Sequence, residues 1–138
     1  MTGALYMLDT NIVSDLIRHP LGRVTQRIAE AGEQAVAISA IVASELRFGA
    51  AKKALLPLAQ RIEGVLQRVA VLSYDERASV DYAEIRQDLE SRGAPIGATD
   101  LFIAAHARAL DLVLVTANTR EFQRVPRLKL ENWLETAP

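Results

Sequence analysis

The sequence predicts an α/β fold, a parallel sheet covered by helices on both faces. Three observations predict it. Short apolar runs alternate with longer helix-patterned segments from one end of the chain to the other. The runs at 4–8, 35–38, 70–72 and 112–115 are nearly continuous in apolar residues, as strands buried on both faces are. No repeat, low-complexity tract or long linker breaks the order, so the 138 residues are expected to form one domain, 1–138.

The first apolar run stops at Asp9-Thr10-Asn11, a strand passing into a polar loop. A short helix over 12–18 ends at His19-Pro20, and a second covers 24–31. After the strand at 35–38, Ser39 is placed to cap a helix running through Glu45 to about Lys53. Leu55, Leu58, Ile62, Val65, Leu66 and Val69 then share one helical face, the clearest amphipathic pattern in the chain. Beyond the strand at 70–72, a helix over 75–92 turns Ala78, Tyr82, Ile85 and Leu89 inward, and Gly93 stops it ahead of Pro95. The segment 99–110 is mostly apolar and reads as a buried helix, followed by the strand at 112–115 and a short fifth strand at 128–130. Ligand sites in such sheets lie beyond the carboxyl ends of the strands, so chemistry is sought there.

Composition narrows that chemistry. Half of the residues are apolar and the net charge is −1, so there is no global pull toward nucleic acid, and an enzyme acting on it would need a local basic rim. The absence of cysteine excludes disulfides, thiolate ligands and a cysteine nucleophile. Two histidines, His19 and His106, are too few for a zinc site. His19 beside Pro20 reads as a helix end, and His106, in an apolar helix, as a core residue. A bound metal must therefore be held by carboxylate oxygens, which suits Mg²⁺ or Mn²⁺. No run reaches the roughly 18 to 20 apolar residues that span a bilayer. The short N-terminal apolar run meets an acid at Asp9, unlike a secretory signal, and a cytoplasmic protein without membrane contact is expected.

Four acids fall where such a site would form. Asp9 follows the first strand, and Asn118 and Glu121 follow the fourth, after Thr116. Asp100 opens the buried helix, and Glu45 lies in the helix after the second strand. Each has an ordinary alternative: Asp9 and Asp100 as helix-terminal acids, Glu121 as a solvated loop acid. Glu45 is flanked by Val42, Ala43 and Leu46, where an unpartnered carboxylate is costly. Convergence of all four on one end of one sheet is the argument. Carboxylates brought together raise one another's pKa, and a divalent cation removes that penalty. Such a cation can bind a phosphate oxygen and activate water toward a phosphodiester.

The segments Met7-Leu8-Asp9-Thr10-Asn11, Ile38-Ser39 through Glu45-Leu46 and Gly49-Ala50, Ile96-Gly97-Ala98-Thr99-Asp100 with Ile103-Ala104-Ala105-His106-Ala107, and Leu114-Val115-Thr116-Ala117-Asn118-Thr119-Arg120-Glu121-Phe122 together resemble a PIN domain of the VapC type. These are the ribonuclease toxins of bacterial toxin–antitoxin pairs. The resemblance implies a three-layer α/β/α fold around a central parallel sheet of four to five strands. It also implies endoribonuclease activity dependent on Mg²⁺ or Mn²⁺. Asp9, Glu45 and Asp100 match the family's three main acids. The fourth acid, usually an Asp, falls at Asn118 or Glu121, and Glu121 is favoured because only it carries charge. Thr10, Asn11, Ser39, Thr116 and Asn118 match polar positions that orient the acids.

In this reading Asp9 and Asp100 are the metal ligands. Glu45 completes the ligand set or serves as general base, and Glu121 or Asn118 positions a second metal or a water. Arg47, Lys52, Lys53, Arg120 and Arg124 are candidates for holding RNA phosphates. Phe102 and Trp133 are expected in the core, so no base-stacking aromatic is assigned. The resemblance further implies a VapB-like antitoxin, a homodimer, and operator DNA bound only through the antitoxin. Apolar residues over 12–17 and 48–56 could supply the partner surface or be core. The Thr119-Arg120-Glu121-Phe122 segment looks like the branch that cuts the anticodon loop of initiator tRNA. Rival readings are a catalytically degenerate PIN domain that only binds, and an aspartate-based phosphotransfer enzyme. The latter wants a second Asp where Asn11 stands and a Lys near the third acid. A nucleotide-binding module would want a glycine-rich loop, which the seven glycines do not form.

Overall fold

A computed structural model describes residues 3–135. Five strands, β1 (Tyr6–Leu8), β2 (Val36–Ser39), β3 (Ala70–Leu72), β4 (Val113–Val115) and β5 (Leu130–Glu131), form one all-parallel sheet in the order β3-β2-β1-β4-β5. The helices are α1 (Thr10–Arg18), α2 (Arg23–Ala31), α3 (Ala40–Lys53), α4 (Leu56–Arg68), α5 (Glu76–Ser91), α6 (Ala98–Ala109) and the single turn α7 (Thr119–Phe122). Together they make a three-layer α/β/α fold. Among the described residues no helix is long and apolar enough to cross a membrane.

The local chemistry expected from the sequence sets most of the boundaries. Asp9 caps α1 by accepting the Thr10 amide at 2.8 Å, and Ser39 caps α3 by accepting the Ile41 amide at 3.0 Å. Lys52 and Lys53 stand in the last turn of α3, against the negative end of its dipole. Asp75 caps α5 through the amides of Arg77 and Ala78, and Gly93 follows the helix at φ +64°, a conformation side chains rarely adopt. In α6, Ile103 through Ala107 are buried without interruption. Three alanines among them let this helix lie close to its neighbours.

The two central strands decide where the site lies. The chain builds outward from β1 through β2 to β3, then returns to place β4 and β5 on the other side of β1. β1 and β4 therefore flank the point where strand order reverses, the place beyond whose carboxyl ends such sheets take their ligands. Leu8 pairs with Val115, so Asp9 and Thr116 are the next residues out on adjacent strands. The Asp9 amide donates to the Val115 carbonyl at 2.9 Å, continuing the ladder one residue further.

Strand bounds shift, β1 to Tyr6–Leu8 from 4–8 and β5 to Leu130–Glu131 from 128–130, and two further expectations change. The turn α7 was not foreseen; four residues carry too little periodicity to register as a helix. Phe102 is half-buried rather than core, stacked on Tyr82 at 4.7 Å with Tyr74 edge-on at 5.5 Å. Trp133 is buried as expected, with Arg27 over its ring at 5.2 Å.

Candidate active site

Four elements deliver the acids: Asp9 from the β1–α1 junction, Glu45 from α3, Asp100 from the first turn of α6, and Glu121 from α7. Asp9 is almost completely buried, at 4% exposure. Its Oδ1 accepts the Thr10 amide at 2.8 Å, and its Oδ2 accepts the Thr116 hydroxyl at 2.8 Å and the Asn11 amide at 3.3 Å. Three of the roughly four acceptor positions on a carboxylate are thus taken, and the remaining one is on Oδ1. Burial pushes this carboxyl above its usual range. The Thr116, Thr10 and Asn11 hydrogen bonds pull it down, and the nearby charge of Glu45 pushes it up.

Thr10 links Asp9 to Glu45, its hydroxyl donating to Glu45 Oε1 at 2.6 Å. The carboxylate that the sequence places in an apolar helix therefore has a partner across 35 residues of chain. Thr116 is the hub on the opposite side. It is fully buried, donates to Asp9, and accepts the Asn118 amide at 3.0 Å. Asn11 spans the same gap, its Oδ1 accepting the Ala117 amide at 3.0 Å.

Asp100 and Glu121 form the second half of the site. Glu121 Oε1 accepts the Gly97 amide at 2.7 Å, and Oε2 accepts the Asn118 side-chain amide at 2.7 Å. The Gly97 N–H, with Asn118, Asp100 and Arg124, holds Glu121 below the usual carboxylate range against the opposing effect of burial. Asp100 moves the other way, pushed up to about 7 by burial and then by the charges of Glu121, Asp9 and Glu45. One proton shared between Asp100 and ionised Glu121 accounts for both directions.

Asp100 thus feels all three other acids, so the four carboxylates that the sequence scatters over 113 positions stand within electrostatic reach of one another. Among the described residues no Lys, Arg or His forms an ion pair with any of them. Nor do three such groups stand as a ready-made metal cage. The acids form two hydrogen-bonded halves, Asp9–Thr10–Glu45 and Asp100–Glu121, with uncompensated repulsion between them. A donor set made only of oxygens, repelling across a gap, fits a hard divalent cation.

The two candidates for the fourth acidic position are bonded to each other, the Asn118 side-chain amide donating to Glu121 Oε2. Asn118 supplies hydrogen bonds and Glu121 supplies charge, with both Glu121 oxygens already engaged. Gly97 is the contributor that sequence reasoning passed over. Its amide caps Glu121, a backbone role that no side-chain pattern reveals.

The basic rim is thinner than expected. The Arg47 guanidinium makes two 2.8 Å hydrogen bonds to Glu63 on α4, an exposed pair within the α3–α4 hairpin. Arg124 donates to the Pro95 carbonyl at 3.0 Å and so braces the loop before α6. Lys52, Lys53 and Arg120 are exposed.

Thr116→Val tests the hub. It removes a buried hydroxyl that serves three partners, leaving Asp9, the Asn118 amide and the Asn11 side-chain amide each one bond short. The expected cost is about 1–3 kcal/mol in stability, read by denaturant unfolding. Unfolding within error of the parent would mean that the hydroxyl is not holding Asp9.

A family model described as PIN domain matches residues 6–128. Ribonuclease VapC2 of Rickettsia felis is 39% identical over 131 residues, covering 94% of this chain and 98% of that protein. The tRNA(fMet)-specific endonuclease VapC of Shigella flexneri is 39% identical over 130 residues, covering 93% and 97%. Among solved structures, VapBC2 from Rickettsia felis bound to a DNA fragment from its promoter superposes with a TM-score of 0.87 at 35% identity, covering 94% of this chain and 98% of that one. DNA-bound VapBC from Salmonella typhimurium gives 0.86 at 35% identity, with the same coverage.

Proposed function

The chain belongs to the PIN-domain family, in its VapC ribonuclease branch, and from that premise we propose that it is a divalent-metal-dependent endoribonuclease acting as the toxin of a toxin–antitoxin pair. Asp9, Glu45, Asp100 and Glu121 carry the reaction. The observation that supports this most is the delivery of four acids by four elements beyond β1 and β4, with Asp9 and Glu45 tied through Thr10 and Glu121 tied to the Gly97 amide at the start of the helix that carries Asp100.

Asp9 and Asp100 would hold Mg²⁺ or Mn²⁺, with Glu45 beside them. The ion, when bound, supplies positive charge to a phosphate oxygen and lowers the pKa of water. Everything else falls to the chain. Thr10, Asn11 and Thr116 fix the Asp9 carboxylate so that its free acceptor position on Oδ1 faces the pocket. Glu45 is anchored through Oε1, which leaves Oε2 to take the proton of the attacking water. Glu121 clamps the loop before α6 through Gly97 and so sets where Asp100 stands. Arg120 and Lys52 hold RNA phosphates at the rim.

The substrate proposed is the anticodon loop of initiator tRNA, as the name of the Shigella flexneri relative suggests. A VapB-like antitoxin is the proposed partner, since the solved relatives are VapBC complexes bound to DNA. The apolar groove lined by Leu16, Ile17, Ile28, Val65 and Val69, with Arg18, Arg61 and Arg68 at its edges, suits an amphipathic segment of that partner. Of the apolar segments considered for partners, 12–17 is mostly core, whereas Phe48, Leu55 and Leu56 are exposed and suit a homodimer contact. Operator DNA would be reached through the antitoxin, in the cytoplasm.

Purified protein incubated with total tRNA in Mg²⁺, Mn²⁺ or EDTA tests the proposal. Cleavage of initiator tRNA in its anticodon loop with either metal, and none in EDTA, is expected. Intact initiator tRNA beside a cut mRNA would overturn the substrate, and cleavage that survives EDTA would overturn the chemistry.

A further inference from the structure

His106 is fully buried in α6, yet no step above uses it. Its Nδ1 lies 2.8 Å from the Ser39 hydroxyl, which also accepts the Ile41 amide at the start of α3. The backbone of Ser73 beside the ring favours a proton on Nε2, and that tautomer assigns the Ser39 hydroxyl as donor to Nδ1. Nε2 is buried near the Ser73 backbone without a well-formed hydrogen bond. An apolar side chain would fill the same space and leave no orphaned polar atom. The imidazole is therefore a poor choice for packing alone, and its contribution lies in the bond to Ser39.

That bond joins the two helices that carry Glu45 and Asp100. Glu45 stands six residues after Ser39 on α3, and His106 stands six residues after Asp100 on α6. The tie is thus six residues along its own helix from each acid. A shift of either helix along its axis stretches the bond and changes the gap between the acids together.

We propose that His106 is a positioning residue: through Ser39 it fixes α6 against α3 and so sets the separation of the Asp100 and Glu45 carboxylates for a divalent cation. This rests on the proposed function, because it requires those two acids to share an ion.

The test compares His106→Leu and His106→Asn, which are close in size while only Asn offers an oxygen where Nδ1 stood. Ser39→Ala removes the same bond from the other side, together with the Ile41 cap of α3, and leaves the imidazole in place. Mn²⁺ affinity is measured by electron paramagnetic resonance on the intact protein, well below the melting temperature of each variant. H106L and S39A should weaken Mn²⁺ binding about tenfold, the scale of groups that orient metal ligands, with H106N within about twofold of wild type. In a Glu45→Gln background H106L should cost nothing further, since His106 acts through the placement of Glu45 relative to Asp100.

Wild-type affinity in H106L and S39A would reduce His106 to core packing. So would an H106N loss equal to that of H106L, or an H106L loss that persists undiminished in E45Q. Failure of the underlying reading looks different: the unaltered protein then binds no Mn²⁺, or binds it equally well in E45Q and D100N, and the proposal falls with it.

Discussion

Asp9→Asn lowers RNA cleavage by about 10³-fold while the melting temperature moves by only a few degrees. The two halves of this expectation come from separate roles of one side chain. As a cap, Asp9 accepts the Thr10 amide, and Asn is an equally good cap residue; the two bonds that an amide nitrogen cannot accept at the Oδ2 position are offset by no longer burying a charge. As a ligand, it contributes a full negative charge at the one oxygen position that its hydrogen bonds leave open. Withdrawing that charge loosens the ion, and ions of this kind provide several kcal/mol of transition-state stabilisation. A loss of about 4 kcal/mol corresponds to about 10³ in rate. The measurement is kcat on tRNA at saturating Mg²⁺, with a thermal melt alongside. Activity within tenfold of the parent would leave Asp9 as a helix cap and nothing more.

Asp100→Asn should cost as much activity and yet make the metal-free protein more stable near neutral pH. The sign follows from the shift. Asp100 is pushed up from 3.8 to about 7 in the folded chain, so the folded state holds a proton that the unfolded state has released. Its favourable contribution is complete below pH 3.8 and is lost as pH rises through about 7. Glu121, shifted downward, is already ionised across the upper part of this window and does not cancel the effect. The metal-free parent should therefore lose stability as pH rises from 4.5 to about 7, and D100N should show a flatter profile there. Added Mg²⁺ should restore the parent above pH 7 and leave D100N nearly unmoved. Denaturant unfolding across pH, with and without Mg²⁺, reads all three. Parallel pH profiles for the two proteins would show that Asp100 carries no repulsion.

Much of this site was legible in the sequence because strand ends are. A buried parallel strand must be apolar to its last residue, so the polar residue after it marks the edge of the sheet. Asp9 after Leu8 and Thr116 after Val115 were found in that way. Ser39 showed itself as a cap, and Glu45 was conspicuous because nothing beside it in sequence could satisfy it. Its partner, Thr10, comes from another helix, and only folding brings the two together. What stayed hidden depends on backbone geometry or distant pairing. The Gly97 amide that clamps Glu121 has no side chain to read. Arg47 looked like any surface cation until α4 placed Glu63 against it. His106 was read as core, and it is core; its bond to Ser39 spans 67 residues, beyond any local pattern.

Anomalous diffraction from a crystal of the protein soaked in Mn²⁺ asks most directly whether the acids share an ion. A single strong peak bounded by Asp9 and Asp100, with Glu45 facing it and absent from a D9N crystal, is the predicted result. No peak in that pocket at a Mn²⁺ concentration that supports full cleavage would contradict the account.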